Sequence, residues 1–226
     1  IFATGDELVE PGNDLLPGQI YNSNLYVFED LVMRAGAEVT LKSVIKDDQA
    51  SLKTFLTDAF YSCDMIISSG GVSMGRFDYV RDVLMELNVM EHFWRVAQKP
   101  GKPLFFGSRG NALIFGLPGN PVSAFIGFME YVWPVLEIMS GQSRSGTLSA
   151  VLDESFPREK EKTRYLFGNT WSENGQLICA PSKKVGSHML TSSLKANCII
   201  IAEPGDKPLT KGAQIRVHLL PWKTIK

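Results

Sequence analysis

Apolar residues in the first part of the chain fall into two alternating patterns. Short apolar runs of strand length are separated by segments in which apolar residues recur at the spacing of one helix face. These patterns predict strands at 1–4, 39–45 and 64–68 and helices that begin near residues 22, 48 and 78. Strands separated by helices of this length join through right-handed crossovers into a mostly parallel sheet. We therefore expect a three-layer α/β fold with helices on both faces of the sheet.

A hairpin and a long apolar helix complete this region. Residues 104–107 and 112–115 predict two strands joined across the turn SRGN. Residues 120–139 predict a helix that Pro134 should bend or divide, because proline has no amide proton to donate. The small, polar run SGQSRSGT that follows is typical of a linker. The first domain should therefore cover residues 1–142.

The rest of the chain, 143–226, has a different pattern. Its apolar runs are short, rich in β-forming residues and divided by turn sequences such as SENG and EPGDKP. These features predict a second, small all-β domain, either a barrel or a sandwich.

Composition argues against several classes of protein. With a net charge of −1 and a pI near 6.4, the chain lacks the basic surplus of a protein that binds nucleic acid or anionic membranes. No uncharged apolar stretch reaches the roughly 18 residues of a membrane span. The three cysteines and three histidines are scattered, which supports neither disulfides nor a zinc site and fits a cytoplasmic protein. The chain begins within a strand pattern, so we expect it to be part of a longer protein.

Carboxylates follow each of the first three predicted strands. Asp6 and Glu7 follow the first strand, Asp47 and Asp48 the second, and Asp78 the third. Ligands of parallel sheets bind at the carboxyl ends of the strands, so these side chains should meet along one edge. A structural role is the alternative for each, because the aspartates could cap helices and Glu7 could be a solvated loop carboxylate. Convergence on one edge favours a functional site.

Two loops have the features of an anion-binding site. The segment SSGGVSMGRFDYV, residues 68–80, runs from a strand through glycines to a helix and should leave unpaired amides at the positive end of a helix dipole. It matches neither the Gly-x-Gly-x-x-Gly pattern nor a P-loop. The segment GLPGNPVSAF, residues 116–125, leads into the long helix in a similar way, with Ser123 just inside it.

Basic residues between these two loops could complete an anion site. Lys99 and Lys102 flank a Pro-Gly pivot in QKPGKPLFFG, and Arg95 precedes them. The alternative interpretation is a solvated basic turn. Since the chain has no net positive charge, an anion site would depend on such a local group of cations.

Four motifs, in this order and spacing, resemble those of the molybdopterin molybdenumtransferase family, which includes the E domain of gephyrin. They are TGDEL, SSGGVSMGRFDY, KPGKPL and GLPGNPVSA, and the segments RYLFGN and GSHMLTSSLKAN resemble the family's C-terminal β-barrel domain. The resemblance implies an enzyme that inserts molybdenum from molybdate into adenylylated molybdopterin and releases AMP. It also implies a requirement for Mg²⁺ and a homodimer in the full-length protein.

The resemblance assigns site residues as well. The catalytic carboxylates, which would also hold the metal, are Glu7, Asp47 and Asp78. The residues expected to bind the pterin substrate are Thr4, Gly5, Ser69, Gly70, Gly71, Ser73, Arg95, Lys99, Lys102, Pro118, Gly119 and Asn120. The residues expected to bind molybdate are Lys102, Pro103, Ser123, Arg164 and Ser187. Some members of the family have lysine where this chain has Arg95, a change that keeps the charge but alters the donor geometry.

Two other functions are compatible with parts of the pattern. A gephyrin-like scaffold would use the same fold to bind a partner peptide, but it would not need the carboxylates. A nucleotide-dependent oxidoreductase on a Rossmann-like sheet would need the glycine spacing that this chain lacks. Family members also carry an N-terminal region that is absent here, so this chain alone is expected to bind pterin with little or no turnover.

Overall fold

A computed structural model describes residues 1–72, 79–143, 146–182, 195–223 and 225 of the chain. The chain forms two compact units, the first comprising Ile1–Val96 and Pro103–Arg144 and the second comprising Ala97–Lys102 and Ser145–Lys226. The segment Ala97–Lys102 was expected in the first domain but belongs to the second unit.

Strands alternate with helices through the first unit, and strands alone follow in the described part of the second. The strands are β1 (Phe2–Thr4), β2 (Leu8–Val9), β3 (Ile20–Tyr21), β4 (Ser43–Ile45), β5 (Met65–Ser69), β6 (Met90–Trp94), β7 (Gln98–Lys99), β8 (Phe105–Arg109), β9 (Ala112–Leu117), β10 (Leu148–Leu152), β11 (Thr163–Glu173), β12 (Gln176–Pro181), β13 (Cys198–Ala202) and β14 (Gln214–Leu219). The helices are α1 (Asn24–Arg34), α2 (Gln49–Ser62), α3 (Tyr79–Glu86), α4 (Pro121–Gly127) and α5 (Trp133–Met139), with a π-helical turn, Phe128–Val132, between the last two.

A six-stranded sheet lies at the centre of the first unit, with the strand order β4-β1-β5-β9-β8-β6. The first four strands in this order are parallel to one another, and β8 pairs antiparallel with both of its neighbours, β9 and β6. The predicted mostly parallel sheet is confirmed. The strand predicted at 39–45 is shorter, because only Ser43–Ile45 pairs with β1. The sequence did not predict β6, whose partly exposed residues do not form an apolar run.

Helices α2 and α3 pack on one face of this sheet. Their apolar residues, such as Leu56 and Leu84, form one buried cluster with Phe2 of β1 and Ile114 of β9. The helical spacing recognised in the sequence is therefore the spacing of the buried face. This cluster anchors the strands whose carboxyl ends carry the site.

The other face is covered by α1 and by the helix that begins with α4. The rings of Phe28 and Phe128, one from each helix, lie 5.4 Å apart. Gly127 allows close approach to the sheet, because a Cβ atom there would lie 3.1 Å from Cδ2 of Leu117 in β9. The predicted three-layer α/β arrangement is confirmed.

The long helix changes character just before Pro134, as the sequence predicted. The π-helical turn Phe128–Val132 precedes Pro134. This turn allows the helix to continue although the proline has no amide hydrogen to donate. Among the described residues, Pro121–Met139 is a helix that is long and apolar enough to cross a membrane, although it contains Glu130 and Glu137. Because 72% of this helix is buried within the protein, it has the character of a core helix.

The second unit contains a closed barrel of β10, β11, β12, β13 and β14, so the barrel alternative is the correct one. Pairing of β12 with both β10 and β11 closes it. All three cysteines are free thiols, and burial raises the pKa of both Cys179 and Cys198 in the barrel core to about 12. Strand β7 joins this unit through β11, where Gln98 pairs with Thr163. This non-local pairing explains why Ala97–Lys102 belongs with the barrel.

Candidate functional site

A cleft of about 520 Å³ opens in the first unit, at the carboxyl ends of its parallel strands. Strands β4 and β5 lie on opposite sides of β1, so the cleft is at a switch point of the sheet, the usual place for a ligand. The sequence-predicted residues that line it are Thr4, Gly5, Glu7, Asp47, Ser69, Gly70, Gly71, Gly119 and Asn120. They come from the loops after β1, β4, β5 and β9.

Glycines bring these loops into contact. Gly71 has a φ of +69°, and a Cβ atom there would lie 2.2 Å from Cγ2 of Val80 and 2.9 Å from Oγ1 of Thr4. A Cβ atom on Gly119 would lie 3.7 Å from the Cα of Gly70. The absence of side chains at these positions therefore lets the loops pack against one another, and Gly70, Gly71 and Gly119 line the cleft with backbone alone.

One amide of the glycine loop is not available to a ligand. The Gly70 amide donates a hydrogen bond of 2.9 Å to the carbonyl oxygen of Leu117, at the end of β9. The expectation that this loop leaves its amides unpaired is therefore wrong for Gly70. Sequence could not reveal this bond, because the partner strand follows much later in the chain.

Asn120 contributes an unsatisfied polar atom to the cleft. It precedes α4 in an extended conformation, and its side chain makes no capping bond to that helix. Its Oδ1 atom is buried and has no hydrogen-bond partner within the described ranges. A buried acceptor without a partner is costly, so a donor group on a bound ligand would be stabilising there.

Carboxylates form the acidic side of the cleft. Burial raises the pKa of Asp47, and repulsion from Asp6 and Glu7 raises it further, whereas hydrogen bonds from the Asp6 amide and the Thr4 hydroxyl oppose this. The Asp47 amide in turn donates to Oδ1 of Asp6 over 3.4 Å. Glu7 packs its carboxylate against the α-carbon of Gly5, where a Cβ atom would lie 2.7 Å from Oε2. The structure thus brings together two of the three predicted carboxylates, Glu7 and Asp47.

These two carboxylates suit a hard divalent cation. Mg²⁺ prefers oxygen ligands and commonly takes one or two protein carboxylates, completing its shell with water and substrate phosphates. Within the part of the chain that the structure describes, no group of three or more His, Cys, Asp or Glu side chains is arranged to hold a metal. Glu7 and Asp47, both of which line the cleft, could supply one or two ligands to such a cation. Asp78, the third predicted ligand, lies outside the described residues.

The raised pKa of Asp47 predicts a pH-dependent effect on stability. As the pH rises, the unfolded chain loses this proton near the ordinary value of about 3.9, before the folded chain does. The stabilisation from protonated Asp47 is therefore full below that value and is lost as the pH rises through the folded-state pKa. We expect Asp47→Asn to have a larger free energy of unfolding than the parent at neutral pH, and the difference to vanish in acid. Urea denaturation across this range measures it, and a difference independent of pH would contradict the assignment.

Asp48, next to Asp47, has the structural role. Its carboxylate accepts a 2.8 Å hydrogen bond from the Ser51 amide and caps α2. This bond lowers the pKa of Asp48. The sequence left either aspartate as the possible cap, and the structure separates their roles.

Arg95 belongs to the first unit but does not line the cleft. Its guanidinium carbon lies 3.9 Å from the centre of the Trp94 ring, and Arg81 lies 4.3 Å from the same ring. Arg95 also has a φ of +71°, which is unfavourable for a residue with a side chain. The Trp94 indole nitrogen donates to the carbonyl oxygen of Val72 over 3.1 Å and so connects this group to the glycine loop.

The other predicted residues are distributed as follows. Pro118, Pro103 and Ser123 lie in the first unit outside the cleft lining, and Ser123 is only 5% exposed. Lys99, Lys102 and Arg164 lie in the second unit. Ser73 and Ser187 fall outside the described residues.

Two of the predicted cations in the second unit already have partners. Lys99 forms an ion pair of 2.8 Å with Glu159, and this contact lowers the pKa of Glu159. Arg164 donates from Nη1 to the carbonyl oxygen of Pro157 over 2.8 Å. Lys102 is exposed. An anion ligand would have to compete with these contacts at Lys99 and Arg164.

Sequence reasoning missed several residues that line the cleft. Leu8, Ile20 and Tyr21 come from the two-stranded β2–β3 ribbon, and Asn24 comes from the start of α1. Asn24 donates through Nδ2 to Oγ of Ser69 over 2.7 Å and to the carbonyl oxygen of Gly119 over 2.8 Å. The sequence signal there, an asparagine near a helix start, indicated only a cap.

Comparisons with known proteins identify both domains of the chain. A family model described as a probable molybdopterin binding domain matches residues 1–138, and one for the MoeA C-terminal region (domain IV) matches residues 149–220. The molybdopterin molybdenumtransferase of Haemophilus influenzae is 33% identical over 97% of this chain and 56% of its own length. The molybdenum cofactor synthesis protein cinnamon of Drosophila melanogaster is 34% identical over 95% of this chain and 37% of its own length.

A solved structure has the same fold. The molybdopterin biosynthesis MoeA protein of Pyrococcus horikosii superimposes with a TM-score of 0.78 at 29% identity, over 96% of this chain and 53% of that protein. This chain therefore spans about half the length of the transferase and of the solved protein that it matches. From its matched domains and its fold, the chain belongs to the molybdopterin-binding domain family and joins such a domain to a C-terminal domain of the MoeA type.

Proposed function

We propose that the full-length protein is a molybdopterin molybdenumtransferase. It takes adenylylated molybdopterin and molybdate, places molybdenum on the dithiolene of the pterin and releases AMP. The observation that carries this proposal is that one cleft is lined by glycine backbone, by Asn120, whose Oδ1 has no partner among the described residues, and by the Glu7 and Asp47 carboxylates. A substrate with a phosphoanhydride has the groups that such a cleft can bind.

The carboxylates of the cleft would bind the substrate phosphates through a metal ion. The lining residues include Glu7 and Asp47 but no lysine or arginine within the described ranges. A phosphate beside these carboxylates would be repelled unless a cation lies between them, so Glu7 and Asp47 would hold Mg²⁺, with Asp78 as the proposed third ligand. When bound, the ion would neutralise and polarise the phosphoanhydride.

The chain's own groups would position the substrate for this step. Gly71 and Gly119 would present backbone to the phosphates, and Oδ1 of Asn120 would accept a hydrogen bond from the ligand. Water then cleaves the phosphoanhydride, and its oxygen is retained in one of the two phosphate products. Catalysis here depends mainly on position and charge, since holding reactants in place can lower a barrier by several kcal/mol.

Binding of molybdate would require cationic and hydroxyl groups. A tetrahedral dianion suits charge-assisted donors, and Lys102, Pro103, Ser123, Arg164 and Ser187 remain the proposed set. Arg95 and Lys99 remain proposed contacts of the pterin substrate. A homodimer and a cytoplasmic location also remain part of the proposal.

Reconstitution tests this function. The full-length protein, supplied with adenylylated molybdopterin, molybdate and Mg²⁺, should release AMP and yield molybdenum cofactor that activates a cofactor-free molybdoenzyme. AMP release should require both molybdate and the divalent cation. Absence of both AMP release and cofactor formation would contradict the proposal and would favour a non-catalytic scaffold on the same fold.

A further inference from the structure

Asn24 occupies an unusual position for the first residue of a helix. It is partly buried, lines the cleft and directs Nδ2 away from α1, toward the sheet loops. Both hydrogen bonds from Nδ2 reach residues that are distant in the chain, 45 and 95 positions away. The amide hydrogens of Asn24 thus join two loops that have no covalent connection near the site.

The helix itself does not need Asn24. The N-cap residue of α1, Ser23, makes no side-chain capping bond, and Oδ1 of the preceding Asn22 accepts from the Leu25 amide over 3.4 Å. Asn22 is only 1% exposed and is held in turn by a 2.8 Å bond from its Nδ2 to Glu10. A capping side chain accepts hydrogen bonds from helix amides, whereas Nδ2 of Asn24 donates, so its two bonds need another explanation.

The loops that Asn24 joins are the two glycine-containing loops of the cleft. One acceptor, Ser69, is the last residue of β5 and precedes Gly70, while the other is Gly119, next to Asn120. A backbone bond from the Gly70 amide to the carbonyl of Leu117 runs between the same two loops. These bonds extend the pairing of β5 with β9, in which Ser69 lies opposite Leu117, and hold the two loops together beyond the ends of the strands.

We propose that Asn24 is a positioning residue that sets the spacing of the two glycine loops and thereby the affinity of the cleft for a phosphate ligand. The identity of the ligand rests on the proposed function, whereas the role of Asn24 in holding the loops does not. A site that is already ordered loses less conformational freedom when a ligand binds. More mobile loops should therefore bind the phosphate ligand more weakly.

Hydrogen exchange tests the mechanical role without any ligand. In the full-length protein, Asn24→Ala should accelerate amide exchange by about tenfold in peptides covering residues 66–72 and 117–121, because both side-chain bonds from Asn24 to these loops are lost. Ser69→Ala removes one acceptor only, so its effect should be smaller. Asn13→Ala is the matched control, since Asn13 is exposed and its Nδ2 donates to the nearby Glu10 carbonyl, three residues away. Equal exchange in the parent and Asn24→Ala would overturn the proposal.

Binding of AMP tests the consequence for the site. Titration calorimetry with AMP and Mg²⁺ should give about tenfold weaker binding for Asn24→Ala, with little change in Tm. Asn24→Asp separates positioning from a helix-start role, because aspartate is favourable at a helix start but has no N–H donors. Both variants should therefore bind weakly. Full AMP affinity in Asn24→Ala would overturn the proposal, as would a lower Tm with normal affinity.

Different results would exclude the proposed function and the role of Asn24. If the parent protein neither binds AMP nor inserts molybdenum, the proposed function fails, while hydrogen exchange still decides whether Asn24 holds the loops. If the parent binds AMP and Asn24→Ala binds it equally well, only the role of Asn24 fails. In steady-state assays, Asn24→Ala should raise KM for adenylylated molybdopterin more than it lowers kcat, as expected for lost ground-state positioning.

Discussion

Asp47→Asn in the full-length protein should lower the rate of molybdenum insertion by about 100-fold or more while the protein remains folded. The substitution removes one of the two described carboxylates that would hold Mg²⁺ against the substrate phosphates. A catalytic metal supplies several kcal/mol of charge stabilisation, and each 1.36 kcal/mol corresponds to a tenfold change in rate. AMP release under saturating molybdate measures the effect, and the Mg²⁺ concentration for half-maximal rate should also rise.

The neighbouring residue provides the matched control. Asp48→Ala removes the cap of α2, which accepts from the Ser51 amide over 2.8 Å, and should cost about 1 kcal/mol of stability. Its rate should stay close to that of the parent, because Asp48 does not line the cleft. Asp47→Asn should show the opposite pattern, with lost activity and no loss of stability at neutral pH. Equal activity in the parent and Asp47→Asn would refute the metal-holding role.

Gly71→Ala should destabilise the first unit by about 3 kcal/mol. A Cβ atom there would lie 2.2 Å from Cγ2 of Val80, and the φ of +69° is unfavourable for alanine. Left-handed backbone costs about 1–2 kcal/mol, and overpacking costs a further 1–3 kcal/mol. Urea denaturation followed by the helical circular dichroism signal measures the change, because all the described helices belong to this unit.

Gly110→Ala separates the two causes. Gly110 also has a positive φ, +58°, but a Cβ atom there would meet no described atom within 4 Å apart from its chain neighbours. It should therefore lose only the backbone part, about 1 kcal/mol. If both variants lost the same stability, steric contact between Gly71, Val80 and Thr4 would not be what requires glycine in this loop.

Local sequence patterns predicted most of the first unit because its elements are defined by neighbouring residues. The spacing of Val80, Val83 and Leu84 predicted the buried face of α3, and each of these residues is at most 1% exposed. The edge strand β6 escaped prediction because its residues are mixed and partly exposed, so its conformation depends on pairing with β8.

The parts of the site that sequence missed depend on distant contacts. Asp47 and Asp48 are equivalent by local pattern, and only folding places Asp47 in the cleft and Asp48 at the helix start. Asn24 resembles a capping residue until its bonds to Ser69 and Gly119 are seen. Lys99 was expected to contribute to an anion site, but pairing of β7 with β11 places it in the second unit, where it forms an ion pair with Glu159.

A crystal of the full-length protein grown with AMP, Mg²⁺ and molybdate would show whether the cleft of the first unit binds the substrate phosphate. We expect the AMP phosphate to lie in this cleft, against the backbone of Gly71 and Gly119, with Mg²⁺ between it and Asp47. AMP bound at another site, with this cleft free of phosphate and metal, would rule out the proposed role of the cleft.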